Sequence, residues 1–328
     1  MKLNEIIGSY IFTVIKGDLQ KEIEHIAYNS KKVGNNSLFV CIKGFKVDGH
    51  DFIDQAISNG ANSLLVECDI ESIPKNIPES ITVIKVSDAR NALAYVAANF
   101  YDHCYKNFNL IGVTGTKGKS SVAYLIKQIL DYTGVNTGII GTGGAVINKK
   151  ILDSESAAKT TPESLELHQI FYEMNKAGAK CVVMEVSSHA LDLCRIDYCQ
   201  FDTGIFTNLS SEHLDFHGTM ELYEKAKLKL FKRCNTSIIN KDDLLSQRII
   251  SENNNIITYS AKQYADIYAS NITQDDNKIS FRINYDKNCI TPDIVLPERI
   301  HIYNVLAAFA VCHKMKVDVK SIIGGLGI

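Results

Sequence analysis

Leu110-Ile111-Gly112-Val113 runs directly into Thr114-Gly115-Thr116-Lys117-Gly118-Lys119-Ser120-Ser121, and an amphipathic stretch follows at once. In that stretch Val122, Leu125, Ile126, Ile129 and Leu130 fall at i, i+3, i+4, i+7 and i+8. That is one apolar face of a helix, and Gly134 stops it. An apolar strand, a glycine-spaced turn and a helix N-terminus make a cradle for phosphate. Glycines let backbone N–H groups face an anion, and the helix N-terminus adds positive potential. Lys119 neutralises charge, and the Ser120 hydroxyl can ligate magnesium. The spacing is G-x-x-G-x-x-G-K-S, with Val113 where the strict G-x-x-x-x-G-K-[ST] pattern has its first glycine. The plainer alternative is a glycine-rich strand–helix turn that binds nothing.

Outward from this loop, short apolar runs at 138–140, 181–186 and 204–207 alternate with helical stretches. This predicts a doubly wound, mainly parallel sheet for residues 107–328. Ile279, Phe281, Ile283 and Tyr285 alternate with polar residues, which predicts a half-exposed antiparallel strand. Upstream, Leu38-Phe39-Val40 and Leu64-Leu65-Val66 read as strands, and 52–58 and 89–101 as helices. A smaller α/β domain is therefore expected over 1–106, ending at the polar break Tyr105-Lys106-Asn107. The fold class is α/β, with two domains, as a length of 328 residues suggests.

With 45% hydrophobic residues the chain can bury a sizeable core, and a net charge of −2 argues against nucleic acid or a membrane surface as partner. No apolar run approaches the roughly 18 residues of a membrane span. Met1-Lys2-Leu3-Asn4-Glu5 lacks the apolar stretch of a signal peptide. None of the nine cysteines forms a C-x-x-C pair, so reduced thiols in a cytoplasmic protein are expected rather than a zinc ribbon; the expected oligomeric state is a monomer.

Three further segments carry chemistry. Cys181-Val182-Val183-Met184-Glu185 is an apolar strand ending in a carboxylate, which beside a phosphate loop can hold magnesium. His213 and His217 stand four apart, but no third soft ligand or H-E-x-x-H motif accompanies them, and magnesium rarely uses histidine. On a helix over 221–233, Lys225, Lys229 and Lys232 share a solvated side, whereas Lys227 falls among Tyr223, Leu230 and Phe231. Lys227 either snorkels to water or is partly buried, its pKa depressed so that a neutral amine is available. Thr160-Thr161-Pro162 reads as a helix start, with a threonine cap and proline in the first turn.

Thr114-Gly115-Thr116-Lys117-Gly118-Lys119-Ser120 resembles the ATP loop of the Mur ligases and of folylpolyglutamate synthases. Glu185-Val186-Ser187-Ser188-His189 and the run from Phe206 to Gly218 are similar to the Mur ligases of bacterial cell-wall synthesis. In the first domain, Tyr28-Asn29-Ser30-Lys31-Lys32-Val33-Gly34 and Asp48-Gly49-His50-Asp51-Phe52 resemble the uridine-binding domain of members that add the third peptide residue to UDP-N-acetylmuramoyl-L-Ala-D-Glu. The likeness covers essentially the whole chain and is most specific over 110–231. The departures are Lys117 for asparagine, Ser120-Ser121 for two threonines, Glu212 for aspartate, and Asn-Ser-Lys for Asp-Ser-Arg around Ser30.

The resemblance implies an ATP-dependent ligase. The D-glutamate carboxylate of the UDP-muramoyl dipeptide attacks the γ-phosphate, and an amino acid captures the acyl phosphate. It implies ATP on Gly115, Thr116, Lys117, Gly118, Lys119, Ser120 and Ser121, with Asn304 near the adenine. It also implies two magnesium sites on Ser120, Glu185, His213 and a carbamylated Lys227. Lys119, Lys227 and His213 form the implied catalytic set. Ser30, Thr160, Thr161, Ser187 and Arg195 are the implied contacts to the UDP-muramoyl dipeptide. The family's C-terminal Rossmann-like domain, which carries the amino-acid site, does not follow within these residues; the expectation is a truncated, ligation-incompetent chain. The rivals are a folylpolyglutamate synthase-like ligase and a non-catalytic nucleotide or UDP-sugar binding protein derived from a ligase.

Overall fold

The computed structural model describes residues 1–69, 77–153, 159–275 and 278–327, and they fall into two compact units. The first comprises Met1–Cys104, Glu163–Tyr172 and Leu193–Tyr198. Its strands are β1 (Thr13–Lys16), β2 (His25–Ala27), β3 (Ser37–Val40), β4 (Ala61–Val66) and β5 (Thr82–Lys85), and its helices α1 (Leu3–Ile7), α2 (Ile53–Ser58) and α3 (Ala89–Phe100). The sheet order is β1-β5-β4-β3-β2, parallel except where β1 meets β5. Alternate residues of a strand face opposite sides. Leu38, Val40, Leu65 and Ile84 accordingly join the core with α1 and α3, while Phe39, Leu64, Val66 and Val83 join the one with α2.

The second unit comprises Tyr105–Pro162, Glu173–Asp192 and Cys199–Ile328. It opens with β6 (Asn109–Thr114), α4 (Lys119–Tyr132), β7 (Thr137–Gly141), β8 (Gly144–Ile147) and β9 (Lys150–Asp153). Helix α5 (Ser164–Lys176) has residues 164–172 in the first unit and 173–176 in the second, and β10 (Cys181–Glu185), α6 (Ser188–Asp192), β11 (Phe201–Phe206), α7 (Leu214–His217), α8 (Met220–Phe231) and β12 (Cys234–Asn240) follow in the second. The chain continues through α9 (Ser246–Glu252), β13 (Ile256–Ser260), β14 (Ile267–Asp275), β15 (Lys278–Tyr285), β16 (Asn288–Ile290), α10 (Ile300–Lys314) and α11 (Val319–Leu326). Among the described residues the sheet order is β16-β15-β14-β13-β12-β11-β6-β10-β7-β8-β9. The run from β14 to β7 is parallel, and the flanks are antiparallel.

Ile111 and Val113 of β6 pack with Val122, Ile126 and Ile129 of α4 and with α10, each apolar side chain contributing roughly 1.5–3 kcal/mol on burial. The opposite face of β6 meets α8. A methyl on Gly112 would lie 2.9 Å from the Phe201 ring and 3.2 Å from Leu230, so only glycine lets these layers approach. Helices thus cover both faces, as the alternating pattern predicts. The antiparallel strand expected around 279–285 is β15, with Ile279, Phe281 and Ile283 buried.

Two expectations need correction. The linear division at 106/107 has no place for 163–172 and 193–198, which group with the first unit because packing, not chain order, assigns them. Nor does Thr160 or Thr161 cap a helix. Helix α5 begins at Ser164, and the Thr161 hydroxyl is drawn instead to the end of β10.

Candidate active site

Strand β6 lies between β10 and β11, and the chain leaves β6 for β7 on one side and reaches β11 on the other. Ligands of open parallel sheets bind at such a reversal, beyond the strand C-termini. The loop 115–118 occupies that place. Gly115 has φ 148° and Gly118 φ 84°, values that favour glycine. A Cβ on Gly115 would meet Thr207 Oγ1 at 1.9 Å, and one on Gly118 would meet Asn304 Oδ1 at 2.7 Å. The loop is pinned from the segment after β11. Thr116 N–H donates to Asn208 O at 2.8 Å, Lys117 N–H to Asn208 Oδ1 at 3.0 Å, and Thr207 Oγ1 to Lys117 O at 2.7 Å. Thr207 and Asn208 lie in the run 206–218 that the sequence singles out, but neither residue type nor spacing marks their part in holding the loop.

Lys119 is the first residue of α4, with Ser120 and Ser121 in the same turn. Its Nζ donates to Gly115 O at 3.1 Å and Thr116 O at 2.9 Å, so the ammonium closes over its own loop. Burial lowers its pKa, and the carboxylates of Glu185 and Glu212 oppose that shift. Beside the loop a cavity of about 500 Å³ is lined by Lys117, Gly118, Asn208, Asp242, Tyr303 and Asn304. That volume is within the usual 300–1,000 Å³ of a small-molecule site.

Glu185 ends β10 on the face it shares with Cys181 and Val183, which is the face that α4 covers. Its carboxylate, 1% exposed, accepts from Thr142 N–H at 3.0 Å through Oε1. Thr142 Oγ1 lies 3.3 Å from Thr160 Oγ1, and Thr161 Oγ1 donates to Glu185 O at 2.9 Å and to Ser187 Oγ at 3.3 Å. Thr160, Thr161, Ser187 and Glu185 are therefore one group at the end of β10.

Helix α8 is capped by Thr219, whose side chain accepts from Leu222 N–H at 3.3 Å. Lys225 pairs with Glu221 and Lys229 with Asp192, whereas Lys227 is 1% exposed. The snorkelling alternative fails: the amine stays inside, 4.5 Å from the centre of the Tyr223 ring. Burial, with Lys119 adding its charge and Glu212 opposing, pulls the Lys227 pKa from 10.5 to about 7. The Tyr223 hydroxyl is in turn 3.2 Å from Thr116 Oγ1 of the phosphate loop. Tyr223, read from the sequence only as an apolar neighbour, thus joins Lys227 to the loop. His213 is exposed, with φ 57°, and its ring centre lies 6.1 Å from that of Tyr223 and 5.0 Å from that of His189.

Among the described residues no group of three or more His, Cys, Asp or Glu could hold a metal ion. Magnesium asks for less, since it keeps several waters and takes phosphate oxygens with one or two protein oxygens. Glu185 and Ser120 fit that demand. His213 and Lys227 add one nitrogen and one amine, and become a fitting set for a hard cation only if the amine gains a carboxylate.

In the first unit, Ser30 starts a short 3₁₀ turn, is buried, and donates through Oγ to Gln55 Oε1 at 2.7 Å. Arg195 pairs with Glu163, Nη2 to Oε1 at 2.7 Å. Ser30 and Arg195 group with the first unit, and the other expected site residues with the second. Among the described residues no helix is long and apolar enough to cross a membrane.

Residues 113–312 match the family model described as the Mur ligase middle domain, and residues 22–101 the one described as Mur ligase family, catalytic domain. A UDP-N-acetylmuramoyl-L-alanyl-D-glutamate–2,6-diaminopimelate ligase 2 of Clostridium acetobutylicum is 42% identical over 325 residues, covering 98% of this chain and 66% of its own length. The corresponding ligase of Clostridium perfringens is 40% identical, over 99% of this chain and 67% of its own. A solved structure of a UDP-N-acetylmuramoyl-L-alanyl-D-glutamate–2,6-diaminopimelate ligase superposes with a TM-score of 0.86 at 23% identity, covering all of this chain and 66% of that one. The chain thus spans about two thirds of the length of the relatives it matches.

Proposed function

We propose, from the premise that the chain belongs to the Mur ligase family, that its protein adds the third amino acid to UDP-N-acetylmuramoyl-L-Ala-D-Glu at the expense of ATP. The relatives' names give 2,6-diaminopimelate as the incoming amino acid. We take it as the amine here, to be checked by whether diaminopimelate rather than lysine yields the UDP-muramoyl tripeptide by mass.

The observation that carries the reading is the burial of Lys227 behind the phosphate loop, joined to Thr116 through Tyr223. A lysine with a pKa of about 7 is about half neutral at pH 7, against roughly one in three thousand for an ordinary lysine. A neutral amine can add carbon dioxide and release a proton, leaving a carbamate. That converts a cation beside Lys119 into an anionic oxygen ligand. Glu185 and Ser120 would hold one magnesium ion, and His213 with the carbamate of Lys227 a second. When bound, magnesium supplies charge neutralisation at the transferring phosphoryl group.

The chain's own groups would do the rest. Lys119 would exchange its two loop carbonyls for phosphate oxygens, the N–H groups of Gly118, Lys119 and Ser120 at the helix start would face the same anion, and Asn304 lines the wall that would receive the base. Ser30, Thr160, Thr161, Ser187 and Arg195 would hold the UDP-muramoyl dipeptide. The D-glutamate carboxylate forms a bond to the γ-phosphorus and ADP leaves. The amine then attacks the acyl carbon and phosphate leaves. Electrostatic stabilisation and orientation supply most of such a rate.

The test is calorimetric titration of the 328-residue chain. UDP-muramoyl dipeptide and magnesium-ATP should each bind saturably, and Lys119→Ala should weaken ATP by about 1.5–3 kcal/mol, the worth of a charge-assisted contact. Binding of a folate with no affinity for the UDP-sugar would transfer the chain to the folylpolyglutamate synthase reading. Binding of both ligands with no chemistry would leave a sensor.

A further inference from the structure

Arg195 Nη2 lies 2.7 Å from Glu163 Oε1, and both side chains are 11% exposed. The second oxygen of the same carboxylate, Oε2, lies 3.6 Å from Arg90 Nη1. Glu163 therefore stands between two guanidiniums, all three within the first unit. Its backbone is held as well, because Pro162 precedes it and its carbonyl accepts from Leu167 N–H at 2.9 Å in the first turn of α5. Arg90 is placed by the capped first turn of α3, where Asp88 accepts from Asn91 N–H at 2.9 Å.

Two guanidiniums held to one carboxylate repel each other, and each long side chain carries rotamer entropy that an anion must overcome to order it. A carboxylate between them removes both obstacles before any ligand arrives. It leaves the trio with one net positive charge. Mostly buried, the trio is also screened less than an exposed pair would be.

We propose that Glu163 is a positioning residue that bridges Arg90 and Arg195 and presents the two guanidiniums together to an anionic group of the UDP-muramoyl dipeptide, either its diphosphate or a carboxylate of its peptide. Arg90 is the second cation of that site. The proposal rests on the functional reading above.

The experiment titrates the full chain with UDP-muramoyl dipeptide, UDP and magnesium-ATP, as wild type, Glu163→Gln, Glu163→Asp and Arg90→Gln. Glu163→Gln should weaken dipeptide binding about tenfold with ATP affinity unchanged, and Glu163→Asp should restore most of the loss. Arg90→Gln, which leaves the Glu163–Arg195 pair in place, should weaken it about threefold. A parallel loss for UDP assigns the diphosphate as the anion; a loss confined to the dipeptide assigns the carboxylate. Unchanged or tighter dipeptide binding in Glu163→Gln overturns the proposal, as does an equal loss of ATP affinity, which would mean general damage. Unchanged binding in Arg90→Gln removes the second cation and with it the bridge. A wild type that binds no UDP-muramoyl dipeptide overturns the functional reading itself, a result distinguishable from any of these.

Discussion

Lys227 condenses the relation between sequence and chemistry at the scale of one residue. Helical periodicity separates it from Lys225, Lys229 and Lys232, and the fold buries it against Tyr223. The sequence could not supply the other half of its environment, because Lys119 and Glu212 reach it through tertiary structure alone. Its folded pKa of about 7 lies below the ordinary 10.5, so between these values the unfolded chain binds the extra proton. Stability must therefore rise with pH across that window, and below about pH 7 the full penalty of a buried ammonium is present. Lys227→Met removes the penalty. We expect this variant to be more stable than wild type by a few kcal/mol at pH 6, with the difference shrinking steadily towards pH 10, in denaturant titrations in carbon dioxide-free buffer. A difference independent of pH would place the charged amine in water and contradict its burial. Thr142 and Asn208 make the opposite case: both are at the site through loop geometry, and no local pattern announces a threonine or an asparagine that does this.

Among the elements, those whose apolar spacing repeats over several turns were the legible ones. Helix α4 and the strand before it appear where Val122, Ile126 and Ile129 place them, because one continuous apolar face has one way to be buried. Helix α10 begins at Ile300, so Asn304 lies near its N-terminal end. Helix α5 starts later than its threonine-proline signal, since a hydroxyl near a strand end found a backbone acceptor there. Helix α8 carries Tyr223 and Lys227, so its N-terminus matters to the site. Thr219 satisfies one of its open N–H groups, and Thr219→Ala should cost about 1 kcal/mol in chemical denaturation. A loss below a few tenths of a kcal/mol would mean that the cap is made by another group.

For the whole molecule, the alternation of strands and helices was enough for the α/β class and for a parallel sheet with the phosphate loop at its strand ends. It was not enough for the return of 163–172 and 193–198 to the first unit, which depends on contacts between residues far apart in sequence. The pairing of Arg195 with Glu163 was hidden for the same reason, since they stand 32 positions apart and neither residue type is unusual. Family membership rests on matched residues across both units. The catalytic reading adds one claim to it: that phosphoryl transfer from ATP awaits a particular carboxylate. Formation of ADP from magnesium-ATP, measured with and without UDP-muramoyl dipeptide, tests that claim most directly. The account predicts ADP formation that depends on the dipeptide and disappears in Lys119→Ala; equal ADP formation without the dipeptide, or stimulation by a folate in its place, would contradict it.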